Sequence, residues 1–459
     1  MVTTKTPRPR RQHRSAQLPG PGRSRIGTIV LASLAAGVVT AAVLVLAPFT
    51  PATEHATTAM LLLGLALGWA LLAVLSVRLT DQPQCWAAAP ATFLAVVAVT
   101  LLVSSPAVRD GLHWAWPPAL LVLVVWMTVR IRRQLPARGA RRLLYAVVAV
   151  LGIAAIGGGY ETARESLDTK AYPPPGQLVD VGGHRLHLTC TGSGGPTVVL
   201  EPGLGGVSAD LAWIAPVVAQ DTRVCVYDRA GVGWSEPAHG RQDGARIAAD
   251  LHTLLVRAQV PGPYVLAGHS FGGLYVQSFA AQFPNDVAGL VLLDSTAPSP
   301  DPAPSTPVLA RSSDNAVGRV SALLPALAHV GVGRLLAQSS YDTLPVEVRA
   351  AARANASTAR NLHSYLEELL EGSASTQEAA ALTDLHGKPL LVLTADVGQS
   401  PGWQAKQDHM ATLSTNSLHR VTHTSHAALV EDEEDSAAAS QAVRDVVAAV
   451  RTSHPLAPR

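Results

Sequence analysis

The chain has 459 residues, 48% hydrophobic and 15% charged, with a formal net charge of +2. That length exceeds one ordinary domain, and the apolar fraction excludes a disordered chain. The small net charge hides a division: the first 159 residues hold fifteen Lys/Arg against three Asp/Glu, a net of +12, and the remainder is net −10.

The basic N-terminal tail, residues 1–25, precedes apolar runs and carries no interleaved aromatic residues, which points away from nucleic acid. Five runs follow, at 26–49, 59–77, 86–104, 114–129 and 143–160, and none contains Asp, Glu, Lys or Arg. Each is near the ~20 residues that cross a bilayer. They also lack the polar face that a bundle of soluble helices needs, so an all-α membrane region of about five spans is predicted over 26–160. The first run also fits a secretory signal, with basic residues before it and Ala47 near its end. Basic residues concentrate in the tail and in the loops after runs two and four, which places the N-terminus in the cytoplasm and everything after Tyr160 outside it, in a multi-pass protein of the cell membrane. Without ionisable groups the spans read as an anchor, not as a transport path. A linker over 161–176, with Pro173, Pro174 and Pro175, is expected to be extended and stiff.

From residue 177 short β-branched or Leu-rich runs alternate with Ala-rich stretches, the pattern of a mostly parallel sheet crossed by helices. Strands are predicted at 177–181, 185–190, 197–200, 223–227, 264–267, 289–293, 389–394 and 419–421. The chemistry starts at Gly268-His269-Ser270-Phe271-Gly272-Gly273, where small residues let a sharp turn hold the Ser270 hydroxyl clear of the sheet. Gly398-Gln399-Ser400-Pro401-Gly402 also matches G-x-S-x-G. Ser270 follows an apolar strand and precedes a helix-like stretch, whereas Ser400 has neither neighbour. Pro401 moreover lacks the N–H that the residue after a nucleophile must donate.

These motifs in this order make residues 177–452 resemble the α/β-hydrolase fold in its serine esterase and lipase-like branch. The resemblance implies an eight-stranded, mostly parallel sheet with a helical cap. Glu201-Pro202-Gly203-Leu204-Gly205-Gly206 stands where the family has its oxyanion loop, with Pro202 in place of the usual His, and by position the N–H groups of Leu204 and Phe271 would form the oxyanion hole. Asp228-Arg229-Ala230-Gly231-Val232-Gly233-Trp234-Ser235 resembles the site-shaping loop after strand four. The family order of nucleophile, acid, histidine assigns the base to His426, with His423 at the strand end. The acid is Asp294, directly after strand six, or Asp396, after strand seven; Asp294 is favoured. Residues 296–380 resemble the family's cap, with helices expected at 316–324, stopped or kinked by Pro325, and at 346–370. Leu323, Leu324, Leu327 and Leu335 would line an acyl pocket or, in preference, form the cap core. The acidic run 431–435 should start the last helix. In the family's strand order strands two and four are neighbours, so Cys190 and Cys225 are expected to form a disulfide, the alternative being two buried free thiols. Cys85 should stay free.

The implied activity is hydrolysis of an ester or related acyl bond, on a small-molecule or lipid substrate, through an acyl-Ser270 intermediate and without metal or cofactor. His423 and His426 are spaced like a metal pair but lack a nearby third ligand. Serine at the elbow argues against the carboxylate-nucleophile chemistry of dehalogenases and epoxide hydrolases. An acyltransferase with the same residues and a non-catalytic membrane sensor on this fold are the alternatives.

Overall fold

In a computed structural model, residues 25–49, 51, 53–238, 240–299, 316–338 and 340–457 are described. The chain divides into two compact units, one built from 25–44, 60–100 and 119–153, the other from 45–59, 101–118 and 154–457.

Among the described residues five helices are long and apolar enough to cross a membrane: α1 (Arg25–Leu46), α2 (Glu54–Leu79), α3 (Ala88–Val103, continuing a short turn from Cys85), α4 (Pro106–Gln134) and α5 (Arg138–Ala171). Within the first unit α1 and α2 meet through small residues. A Cβ built on Gly64 would stand 2.2 Å from the Ala41 nitrogen, and one on Gly37 2.8 Å from Gly68 Cα. Only glycine permits that approach, the packing that serves helices in lipid, where no hydrophobic drive brings them together. Leu31, Val38, Val39 and Val43 meanwhile face outward. These apolar helices fit a membrane region.

The linker differs from its expected form. Helix α5 runs through to Ala171, and only the stretch from Tyr172 to Gly176 leaves it. Residues 161–170 are mostly good helix formers, with an Arg164–Asp168 pair at i,i+4 (3.2 Å), so the helix continues until Pro173 removes the next N–H and biases its predecessor away from helix.

In the second unit β1 (Gln177–Asp180), β2 (Arg185–Thr191), β3 (Thr197–Glu201), β4 (Val224–Tyr227), β5 (Tyr264–His269), β6 (Val287–Leu293), β7 (Leu390–Val397) and β8 (Ser417–Ser425) form one sheet in the order β1-β2-β4-β3-β5-β6-β7-β8. The first two pairings in that order are antiparallel and the rest parallel. Cys190 pairs with Cys225 across β2 and β4, and the two are joined by a disulfide; Cys85 is free.

The central strands are buried on both faces, as parallel strands under helices must be. Val199, Leu266 and Leu292 pack against α7 (Gly244–Arg257) and α8 (Gly272–Gln282). Their chain neighbours Val198, Val265 and Val291 pack on the other side against α6 (Ile214–Val218) and α17 (Ser436–Thr452). The cap, between β6 and β7, comprises α9 (Ala316–Ser321), α10 (Leu324–Ala328), α11 (Val332–Ala337), α12 (Val346–Ala356), α13 (Ala359–Leu370) and α14 (Gly372–Ala379), and α15 (Trp403–Ala411) and α16 (Ala428–Glu431) complete the domain.

Three expectations change here. The helix foreseen over 346–370 breaks at Ser357, because Thr358 caps a new helix by accepting from the Asn361 N–H. Leu324, Leu327 and Leu335 are exposed, so they form neither cap core nor pocket lining. The acidic run does not lie inside the last helix: Glu431 ends α16 and Asp435 is the N-cap of α17, so its charges flank that helix start.

Candidate active site

Parallel strands bring their carboxyl ends to one edge of the sheet, and loops from β3, β5, β6, β7 and β8 converge there. Ser270 directly follows β5 at φ +55°, a conformation that L-residues avoid and that persists only when the surroundings fix it. The Ser270 N–H donates to the Leu293 carbonyl (3.2 Å), and the Ser270 carbonyl accepts from the N–H groups of Gly273 and Thr296, at 3.0 Å each. The flanking glycines are sterically required. A Cβ on Gly268 would stand 2.4 Å from the Gly272 carbonyl oxygen, and one on Gly272 2.5 Å from that of Glu201.

Asp294 follows β6, fully buried and also at positive φ (+43°). Its Oδ2 lies 2.6 Å from His426 Nδ1 and accepts from Gln399 Nε2 at 2.7 Å; its Oδ1 accepts from Trp403 Nε1 at 2.7 Å and from the Ala395 N–H at 3.3 Å. With Nδ1 engaged, the free ring nitrogen of His426 is Nε2. Asp396 instead lies 3.0 Å from His423, and both of those are exposed. Sequence reasoning missed Gln399 and Trp403. The signal was the loop after β7, where the family commonly has its acid: Gln399 belongs to the second G-x-S-x-G match, and Ser400 only accepts the Trp403 N–H through its carbonyl (3.1 Å).

His269 packs its ring 4.6 Å from that of His426, and its Nε2 donates to the His426 carbonyl (2.9 Å). Burial, reinforced by the nearby His426, pushes its pKa down to about 4, so the ring is neutral near pH 7. It braces the backbone of His426.

The loop after β3, residues 202–206, hangs from a buried ionic network. Arg229 Nη1 donates to Glu201 Oε1 (2.6 Å) and the Pro202 carbonyl (3.0 Å), its Nη2 to the Gly203 carbonyl (2.6 Å), and its Nε to Glu368 Oε1 (2.7 Å) on cap helix α13. Glu368 Oε2 accepts from the Gly205 N–H at 2.8 Å. Tyr227 donates to Glu201 as well. Burial pushes the Glu201 carboxyl up to about 7 in spite of the guanidinium beside it. A trans peptide aims its N–H opposite to its C=O. Holding the Gly203 carbonyl toward Arg229 therefore turns the Leu204 N–H away from the guanidinium. A Cβ on Gly203 would lie 3.2 Å from Ser270 Cβ, so this loop runs directly beside the serine.

A cavity of about 820 Å³ adjoins the loop, lined by Leu204, Gly205 and Gly206 below and by Leu336, Leu362 and Tyr365 of the cap above. Asp210 lies in its wall; burial, with Glu431 nearby, pushes its carboxyl up to about 8, against the pull of the Val207 N–H it accepts at 3.0 Å. A second cavity of about 820 Å³ lies against β2, β4 and Tyr172–Pro175, and none of Ser270, Asp294 or His426 borders either cavity. Among the described residues no cluster of three His, Cys, Asp or Glu side chains is disposed to hold a metal ion.

The sequence profile of the alpha/beta hydrolase fold family matches residues 196–431, more than half of the chain. The chain belongs to that family. Among curated proteins it is similar to an uncharacterized protein of Schizosaccharomyces pombe (35% identity, covering 27% of this chain and 29% of that protein). It is also similar to an uncharacterized vacuolar membrane protein of Saccharomyces cerevisiae (29% identity, 24% and 20%). The chain thus spans less than a third of either relative. Among solved structures, the enol-lactonase of Burkholderia xenovorans aligns with a TM-score of 0.45 at 19% identity, over 59% of this chain and 100% of that one. Within this α/β-hydrolase, Ser270, His426 and Asp294 come to one strand-end edge, whereas Asp396, His423 and Ser400 form no part of that group.

Proposed function

We propose that the protein is a membrane-anchored serine hydrolase that cleaves an ester or related acyl bond through an acyl-Ser270 intermediate. The reading rests above all on Ser270 in its elbow at the end of β5, with the His426–Asp294 pair, bonded at 2.6 Å, on strand ends of the same edge. Ser270 Oγ attacks the acyl carbon and passes its proton to His426 Nε2, while Asp294 holds the imidazole tautomer and stabilises the imidazolium. The N–H groups of Leu204 and Phe271 receive the oxyanion. His426 then gives its proton to the leaving alcohol, and a water, deprotonated by the same nitrogen, releases the acid and restores Ser270. Asp294 is the acid in this reading because four donors fix its carboxylate, whereas Asp396 pairs with an exposed histidine outside the site.

The five apolar helices and the charge division support an anchor with the hydrolase domain outside the cytoplasm, where the Cys190–Cys225 disulfide would persist. A panel of p-nitrophenyl acyl esters of increasing chain length, with products analysed in the presence of added alcohols, tests the activity. Release of free acid with kcat/KM varying along the series is expected. Transfer to the alcohols in place of water would make the protein an acyltransferase, and no turnover of any ester would refute the catalytic reading.

A further inference from the structure

Within the first unit, the turn between α2 and α3 meets the end of α4 around a cavity of about 710 Å³. Its apolar wall is formed by Trp86 and Trp126, whose rings stand edge to face at 6.4 Å. Gln84 fixes that wall. It is buried, its N–H donates to Ser76 Oγ (2.8 Å), its Oε1 accepts from Trp86 Nε1 (2.8 Å), and its Nε2 donates to the Gln134 carbonyl of α4 (3.5 Å). The polar wall is Arg130, whose guanidinium lies over the Trp126 ring at 5.1 Å, with Asp81 and Gln82 from the turn. Trp86 opens the apolar run 86–104, and Trp126 lies three residues before the end of the run 114–129, or about 5 Å inside it at the helical rise. Arg130 is the first residue beyond that run. The cavity therefore straddles the edge of the apolar zone, the level of lipid headgroups and of the tryptophans that anchor spans.

Charge and hydrogen bonding define what fits there. Residues 78–88 and 130–142, the helix ends and turns around the cavity, hold seven arginines and one acidic residue, Asp81, a net of +6. Among the described residues none of the seven pairs with a carboxylate. A guanidinium held on an aromatic face keeps its planar fork of N–H groups for a phosphate. Gln82 has an amide oxygen that is buried and, among the described residues, without a hydrogen-bond partner. A hydroxyl donor satisfies that oxygen, whereas an ammonium donor is opposed by the surrounding positive charge. Inorganic phosphate would leave the tryptophan wall uncovered; a ligand with an apolar part covers both walls. Val122, one turn from Trp126 toward the middle of α4, is exposed and extends that apolar surface into the zone of the acyl chains.

We propose that this cavity binds an anionic phospholipid whose headgroup carries hydroxyls, with its phosphate on Arg130, a headgroup hydroxyl on Gln82 and its acyl chains along α4 past Trp126. The site rests on the membrane reading of the five helices and not on catalysis. Cys85 lines the cavity and, with Cys190 and Cys225 joined, is the chain's free thiol, so its reactivity reports occupancy. The full-length protein in detergent micelles containing phosphatidylcholine is treated with the uncharged reagent N-ethylmaleimide, with and without phosphatidylglycerol. Phosphatidylglycerol at several times its Kd should slow modification of Cys85 about fivefold or more, because the thiol reacts only in the unoccupied fraction. Arg130→Gln should lose that protection. Arg132→Gln with Arg133→Gln, two exposed arginines outside the cavity wall, should keep it. No protection in the wild type, protection that survives Arg130→Gln, or equal loss in the double variant overturns the site, and equal protection by sodium phosphate overturns the lipid as its ligand. If Arg130→Gln already alters the Cys85 rate without phosphatidylglycerol, the wild type decides: phosphatidylglycerol with a photoreactive group on its head glycerol should attach within residues 81–86 or 126–136. Attachment confined to other segments overturns the proposal. Release of the chain from membranes by alkaline carbonate would instead refute the membrane reading, and this site with it.

Discussion

Glu368→Gln should uncouple the cap from the loop after β3, the proposed oxyanion loop, while barely changing side-chain volume. Glu368 is buried, takes two Arg229 donors at 2.7 and 3.0 Å, and accepts the Gly205 N–H at 2.8 Å. Glutamine keeps one acceptor oxygen and places an NH2 group against Arg229 or Gly205, donor against donor. Arg229 is then left with Glu201, whose own burial already disfavours ionisation, as its remaining carboxylate. Removing one partner of a buried ion pair costs about 3–5 kcal/mol. At roughly 2–4 °C per kcal/mol for a domain of this size, the hydrolase domain should melt about 10 °C lower. The chemical step should suffer separately. Losing one oxyanion donor costs about 10²–10³ in kcat, so a loop displaced but not abolished should lower kcat by at least about tenfold, with KM changing less. Thermal unfolding in detergent and steady-state hydrolysis of a p-nitrophenyl ester read both effects. A variant with wild-type melting temperature and wild-type kcat would refute the claim that Glu368 holds the loop.

Asp294→Asn should lower kcat by about 10³–10⁴-fold, as loss of the tautomer-fixing acid does in serine hydrolases, whereas Asp396→Asn should stay within about twofold. Steady-state kinetics of the two variants against the same ester compares them directly, and equal losses would contradict the assignment. Because burial raises the Asp210 carboxyl to about 8, the folded state holds its proton between pH 4 and 8 and the unfolded chain does not, so stability falls as pH rises through that window. Asp210→Asn should therefore melt higher than wild type by a margin that is larger at pH 8 than at pH 5, and a margin independent of pH would contradict the raised pKa. Reducing the Cys190–Cys225 disulfide, which closes a loop of 35 residues, should cost about 2–4 kcal/mol, read as a lower denaturant midpoint with reductant present.

The sheet was legible because its signal is local. The central strands are apolar runs buried on both faces between turn residues, and all eight strands were found within a few residues of their ends. The Ser270 elbow was legible for a related reason: the close approaches at Gly268 and Gly272 demand glycine at fixed offsets. The acid was legible only as a preference for Asp294 over Asp396; their imidazole partners differ, His426 for Asp294 and the exposed His423 for Asp396, and no local pattern announces that. Gln399, Trp403 and Glu368 act across 105, 109 and 139 residues of chain on Asp294 and Arg229, so no local pattern announces them. The linker was misread because three prolines outweighed the ten residues before them, most of them helix formers, which continue α5. The cap leucines were taken for core because periodicity alone cannot say whether an apolar side chain is buried or exposed.

The central claim is that Ser270 is the nucleophile. Full-length protein incubated with a fluorophosphonate probe, digested and mapped by mass spectrometry, should carry one adduct, on Ser270. Ser270→Ala should lose both the adduct and ester hydrolysis, and Ser400→Ala should keep both. An adduct on any other serine, or labelling that survives Ser270→Ala, would contradict the account.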